Sequence, residues 1–397
     1  MNINHNLHST KIFMFSSVHV WSDTRIFFKE AHTLATNGFE VDFYAIAGQV
    51  AYEAGSIPNL QVTTFTKGGK WSRPKIWHEL YKRALASDAQ YYHFHDFELL
   101  PVAVRLKKKK PNARIIYDMH ENFPAMIRTK DWIPSPLRQP LSTYLAKKER
   151  SYLPQCDHLI FAESSYKEHY TTIDIPKTDI LNLPTWQPAR TGDKNAKFTF
   201  IYVGDIIQDR GVFEMLALIY QLKQRGYETV QLKLIGPMQP HVEEEVMASI
   251  AEHNLENNIE WLGRIPYTEI WKHYESSHVG LCLLHPIPNY MHSLATKLFE
   301  YMAAGLPILA TNIPDWQELL ESTQTGLTAN VLDINDVVNK AEQLIAHHEL
   351  RDLFAKNGRQ AFETTYNWTT EETKLIDLYK NLNKESRRYA SDENINE

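Results

Sequence analysis

The sequence predicts an α/β protein made of two doubly wound, parallel-sheet domains. Three observations point there. Short apolar runs alternate with longer segments of helical period along almost the whole chain. The rhythm lapses once, over 183–197 (LPTWQPARTGDKNAK), which is polar, Pro-containing and non-periodic. The 397 residues also suit two domains, each large enough to bury its own core.

Taken in order, KIFMFSS (11–17) is an apolar run of buried-strand type. DTRIFFKEAHTLATNGF places Ile26, Phe27, Ala31, Leu34 and Ala35 at helical spacing, with Gly38 as the stop. EVDFYAIA closes the first β-α-β unit, the mark of a parallel sheet. QVTTFT, AQYYHFHD, ARIIYDMHE, DHLIFAES and DILNLP read as further strands, with helices through IWHELYKRALA, LLPVAVRLKKKK and PLSTYLAKKERSYLPQC. After the linker the alternation restarts. KFTFIYVGD, VQLKLIGP, IEWLG, VGLCLL and PILAT are strands. GVFEMLALIYQLKQRGY, VEEEVMASIAEHNL, YTEIWKHYESS, SLATKLFEYMAAG and DWQELLES are helices. The remainder is read as helical through DINDVVNKAEQLIAHH, ELRDLFAKNGRQAFETTY and WTTEETKLIDLYKNLN, with 384–397 polar and frayed. In open sheets of this type, ligands bind outside the carboxyl ends of the strands, so chemistry is expected in those loops and in the cleft that the two halves face.

Composition narrows the function. The two cysteines, Cys156 and Cys282, form no disulfide framework or zinc spacing, and a reducing cytoplasm fits them. The opening MNINHNLHST has no leader pattern, and no run of about 18 apolar residues spans a membrane. Residues 1–190 carry a net +6 and 191–397 a net −12, so the first half suits an anionic partner. No P-loop or G-x-S-x-G occurs, and no nucleic-acid partner is expected.

Two stretches of the second half carry the chemistry. In YVGDIIQDRG (202–211), Gly204 permits a tight turn, and Arg210 with Gly211 opens a helix, which makes an anion site. In SLATKLFEYMAAG, Lys297 and Glu300 share one face of an otherwise apolar helix. The N–H groups near Leu294–Thr296, with Lys297, would hold a phosphate, and Glu300 would accept from a diol. In HFHDFE, His93 and His95 share a strand face, but spacing supplies no third or fourth ligand, so no metal is assigned and His95 and Asp96 are read as lining the cleft.

The runs KLFEYMAAGLPILAT, YVGD…DRG, LGRIP and HEN, with SSVHVWSDTRIFFKEAHTLATNGFEV and HDFELLP…IIYDMHEN, together resemble the GT-B glycosyltransferases of retaining family 4. The resemblance implies two Rossmann-like domains facing a central cleft. An acceptor domain would occupy 1–187, completed by a returning helix at about 368–390, and a nucleotide-sugar domain 188–367. It implies Glu300 on the donor ribose, Arg210 and Lys297 on the diphosphate, and the backbone of Gly263, Arg264 and Ile265 on the base. Gly204, Asp205, His292, Ser293, Leu294 and Leu298 complete the expected donor site. His120 would lie at the donor sugar, with Ser17, His19, Asp23, Arg25, His95, Asp96 and Glu121 on the cleft and acceptor side. The pattern departs at His292, where family members often carry an acid, at Asp205, where an Arg is usual, and at SSVHVWSD, which lacks a Gly-Gly.

The implied activity is transfer of a hexosyl unit, with retention and without metal or other cofactor, from a nucleoside-diphosphate sugar to a polysaccharide, glycolipid or other glycan hydroxyl. Uridine ranks ahead of guanosine as the base. A GT-B epimerase or phosphorylase and a non-catalytic, nucleotide-sugar-binding partner subunit remain the alternatives. A cytoplasmic protein is expected, with a peripheral contact to the inner face of the membrane through Lys107, Lys108, Lys109 and Lys110, beside Trp132, Ile133, Pro134 and Leu137.

Overall fold

A computed structural model describes residues 10–48, 50–69, 72–130, 133–189, 192–288, 290–291 and 293–393 and, residue 129 aside, their side chains as far as 383. The chain divides into two units. One comprises Met1–Asn182 with Thr369–Glu397, the other Leu183–Trp368.

The first unit is built on seven parallel strands: β1 (Lys11–Val20), β2 (Glu40–Ile46), β3 (Leu60–Phe65), β4 (Tyr91–Phe94), β5 (Arg114–Met119), β6 (His158–Phe161) and β7 (Lys177–Asp179). Their order is β3-β2-β1-β4-β5-β6-β7. Phe13, Phe15, Tyr92, Phe94, Tyr117 and Phe161 are all inaccessible to solvent, as expected for strands covered on both faces. The second unit has β8 (Thr199–Val203), β9 (Gln231–Ile235), β10 (Ile259–Trp261), β11 (Val279–Cys282), β12 (Ile308–Thr311) and β13 (Gly326–Ala329), in the order β10-β9-β8-β11-β12-β13.

Four features differ from the sequence reading. The helix after β1 opens as a π-helix over Ile26–Ala31, with Phe28 N–H bonded to Asp23 O and Glu30 N–H to Arg25 O. The wider turn puts both Arg25 and Glu30 inside, although both are ionisable. The last strand of the first unit is Lys177–Asp179 rather than DILNLP. The chain leaves the ladder after Ile180, whose carbonyl accepts from Arg25 Nη1, and Leu181 N–H turns to Glu371 Oε2. Gly326–Ala329 is a strand that four residues with little apolar contrast did not reveal. The last helix, Trp368–Glu393, runs through most of the tail expected to fray, while 394–397 and 1–9, where the absence of a leader was read, lie outside the described residues. Its Tyr379 is buried against Phe39 and Tyr91 and hydrogen-bonds His93 Nδ1 at 2.9 Å.

One buried carboxyl in the first unit makes stability depend on pH. Glu149, on the helix Ser135–Tyr152, is 2% exposed, accepts from Tyr170 Oη at 2.8 Å through Oε2, and has no partner for Oε1 among the described residues. Burial pushes the carboxyl up to about 7, against the opposing Tyr170 hydrogen bond. The folded form therefore keeps a proton that the unfolded chain releases, and stability falls as pH rises from about 4.5 to about 7. Glu149→Gln keeps the acceptor without the charge. It is expected to stabilise the unit by about 2–3 kcal/mol at pH 8 and by little at pH 4.5, read as melting temperature against pH. Equal melting of both proteins at pH 8 would refute it.

Candidate functional site

In the second sheet the strand order reverses between β8 and β11, so the loops after these strands form the crevice that open α/β sheets use for ligands. Gly204 ends β8 with φ +146°, and a Cβ there would lie 3.0 Å from Lys297 Nζ, 3.2 Å from Tyr202 Oη and 3.5 Å from Arg210 Nη1. Two cations thus converge on one backbone carbon, and glycine leaves the space beside it open. Gly211 (φ +80°) starts the helix Val212–Gln224 where a Cβ would meet Leu283 O at 2.0 Å, which ties the β8 loop to the β11 loop.

Lys297 is only 8% exposed. Its Nζ lies 4.9 Å from the Tyr202 ring centroid, and no carboxylate among the described residues pairs with it. A buried ammonium faced by a ring and a glycine is costly unless an anion arrives. No side chain caps the helix Thr296–Ala304, so its first N–H groups add to the positive end. Arg210 Nη1 lies 3.4 Å from Asp205 Oδ2. Its Nε is buried with no partner among the described residues. Asp205, which cannot bind phosphate itself, therefore restrains Arg210. Glu300 Oε2 accepts from Tyr274 Oη at 2.8 Å.

The other expected donor residues divide. Gly263 (φ +63°) accepts from Gly236 N–H at 2.8 Å, Arg264 is exposed and Ile265 half-buried. Ser293 O accepts from Trp316 Nε1 at 2.6 Å, and Leu294 is half-buried. Leu298 is fully buried in the core, so its side chain offers a ligand nothing. His292 lies outside the described residues.

In the first sheet the order reverses between β1 and β4. His19 at the end of β1, Asp23 in the loop after it, and His120 and Glu121 in the loop after β5 lie partly or fully exposed. Ser17, Arg25, His95 and Asp96 do not line an open surface, contrary to expectation, because all are buried and spoken for. Asp96 Oδ2 accepts from Ser16 Oγ, Ser17 N–H and Val18 N–H, fixing the loop that stands where a Gly-Gly was expected. Ser17 Oγ donates to Glu98. His19 sits between Asp23 (3.2 Å) and Asp96 (3.4 Å). Burial alone would lower it, but the Asp23 hydrogen bond and both charges outweigh that and raise it to about 9.

Arg25 is the hub of an ion network. Its Nε and Nη2 form a fork on Asp118 at 3.0 and 2.7 Å, and Nη2 lies 3.0 Å from Glu30 Oε1. Burial would raise the Asp118 carboxyl, yet Arg25 and the imidazoles beside it hold it well below the usual carboxylate range. Burial and the neighbouring Asp118 charge push Glu30 well above it. Burial lowers His95 to about 4, with Asp118 opposing. Glu30, His93, His95 and Asp118 bring ligand-type atoms within 4.8 Å of one another, supplying the third and fourth groups that the HFHDFE spacing lacked. The guanidinium already meets the carboxylate charge there, so the cluster is an ion network first. Sequence reading missed Asp118 and Glu30, although a charge inside the apolar run IIYDM, or on the inward face of IFFKEA, is the signal that could have found them.

The basic run is also partly spent inside the unit. Lys107 Nζ bonds Asp157 and Ala113 O, and Lys110 Nζ bonds Ser87 O and Tyr92 Oη, leaving Lys108 and Lys109 exposed. Ile133 is buried, Leu137 is exposed, and Trp132 lies outside the described residues. Among the described residues no helix is long and apolar enough to cross a membrane.

Residues 187–361 match the family described as Glycosyl transferases group 1, and residues 25–185 match Glycosyltransferase Family 4. The chain is 25% identical over 194 residues to the capsular polysaccharide biosynthesis glycosyltransferase CapM of Staphylococcus aureus, an alignment covering 48% of each protein. The chain thus spans about half the length of the curated relatives it matches. Among solved structures, sucrose-phosphate synthase from Thermosynechococcus elongatus superposes with a TM-score of 0.72 at 17% identity, covering 94% of this chain and 99% of that one. Anabaena HepE in complex with UDP and glucose superposes with a TM-score of 0.69 at 12% identity, covering 94% and 100%. These likenesses show a shared GT-B fold.

Proposed function

The chain belongs to the group 1 glycosyl transferases, and from that premise we propose that it moves a sugar from a nucleoside-diphosphate donor to a hydroxyl of a glycan or glycolipid, retaining the anomeric configuration. The observation that carries this reading is the convergence of buried Lys297 and Arg210 on Gly204. A diphosphate leaving group needs its developing charge met at the bridging and terminal oxygens, and two fixed cations with a helix N-terminus meet it without solvent reorganisation. Glu300, steadied by Tyr274, accepts from the ribose diol. As the C1–O bond to phosphate breaks, the acceptor oxygen bonds C1 on the same face, and its proton passes to the departing phosphate oxygen. His120 is proposed as a further contact of the transferred sugar.

Uridine is proposed as the base, supported by the UDP named with HepE, and a cell-surface polysaccharide as acceptor, supported by the name of CapM. A thermal-shift screen with UDP, GDP, ADP and dTDP tests the donor: a ligand at a hundred times its Kd adds about 2.7 kcal/mol. No shift with any of the four would overturn the nucleotide reading. Glu300→Ala is expected to lower turnover about tenfold, the scale of one strong polar contact, read as kcat with the nucleotide sugar that the screen selects. Unchanged kcat would remove Glu300 from the site.

A further inference from the structure

His120 does not stand alone at the end of β5. Its Nε2 lies 2.6 Å from Asp118 Oδ2, two residues back on the strand. That oxygen also receives His95 Nδ1 at 3.1 Å and Arg25 Nε at 3.0 Å, while Oδ1 receives Arg25 Nη2 at 2.7 Å. The groups within hydrogen-bond reach of this carboxylate are the Arg25 guanidinium and two imidazoles, and Asp118 is wholly inaccessible. Arg25 is itself 4% exposed and anchored by Ile180 O, so the fork cannot swing away.

We infer that Asp118 is a positioning residue: it holds His120 as the Nε2–H tautomer and so leaves Nδ1 as a hydrogen-bond acceptor for a hydroxyl of the bound sugar. An ionised carboxylate can only accept, so the imidazole nitrogen facing it must carry the hydrogen. In the neutral ring the opposite nitrogen then presents a lone pair. The same contact fixes the plane of the ring, which an isolated histidine at 14% side-chain exposure would otherwise be free to turn. Arg25 acts one step further back. Its fork on both oxygens keeps Asp118 charged and oriented despite the burial. The arrangement rests on the reading of the chain as a sugar transferase only for the identity of the hydroxyl. The tautomer follows from the first unit alone.

The test has two arms. Imidazole 15N shifts of the full chain labelled at histidine, with His120 assigned by its loss in His120→Gln, read the tautomer directly. For the neutral ring a hydrogen on Nε2 with Nδ1 bare is expected, and a neutral ring with its hydrogen on Nδ1 overturns the inference. In the kinetic arm, Asp118→Asn is expected to lower kcat by about a hundredfold with the donor KM changed less than threefold, because the amide can donate and releases the tautomer. In a His120→Gln background the same substitution is expected to cost nothing more. A further fall there, or a loss carried by KM, assigns Asp118 a merely structural part and overturns the inference. If Asp118→Asn does not fold, the 15N arm on the wild-type chain still decides. A wild-type chain with neither transfer nor donor hydrolysis would count against the proposed function and leave the tautomer measurement intact.

Discussion

Lys297→Met is expected to lower kcat/KM by about 10²–10³-fold while leaving the melting temperature unchanged or higher. The first half follows from the role of a fixed cation at a leaving group, whose removal costs about 3–4 kcal/mol of transition-state stabilisation. The second half follows from the burial of the ammonium. At 8% exposure, with the Tyr202 ring in place of a counter-ion among the described residues, Lys297 costs stability in the empty protein, and methionine fills the same channel without that cost. Steady-state kinetics and calorimetry on the same preparations check both. A fall in stability with full activity would make Lys297 structural and would remove the main support for a diphosphate site.

Arg25→Ala is expected to destabilise the first unit by about 3–5 kcal/mol at neutral pH, since it strips the counter-charge from the buried, ionised Asp118 and removes the guanidinium beside Glu30. The sign of its pH dependence is fixed. In the wild-type chain Asp118 is held below its usual range, which contributes stability present above the unfolded value and lost as pH falls. Without Arg25, the buried Asp118 takes up a proton more readily, so the penalty shrinks as the solution is acidified. A deficit in melting temperature that is constant from pH 8 to pH 5 would show that the guanidinium acts through packing alone.

How much of this was legible in the sequence depends on what each residue answers to. Alternating strands and helices were readable because parallel strands buried on both faces must be continuous apolar runs, as in KIFMF and VGLCLL. Lys297 and the glycine loop were each read as anion-site elements, and the family resemblance placed both on a diphosphate. What escaped were elements set by distant partners. β7 ends where Arg25 and Glu371 capture the backbone of Ile180 and Leu181, more than a hundred residues away in the chain. Arg25 itself was read as a ligand contact because its bidentate carboxylate is 93 residues further on. Lys107 and Lys110 were read as part of a membrane contact because Asp157 and Tyr92 reach them only through the fold.

The membership of Thr369–Glu397 in the first unit has a consequence for how the protein is made. The socket for Tyr379, formed by Phe39, Tyr91 and His93, leaves the ribosome long before its occupant. At about 5–20 residues per second, the wait for the whole second unit to be synthesised lasts on the order of ten to forty seconds. Through that interval the nascent first unit carries an uncovered apolar socket, while the second unit, continuous in sequence, can complete itself first.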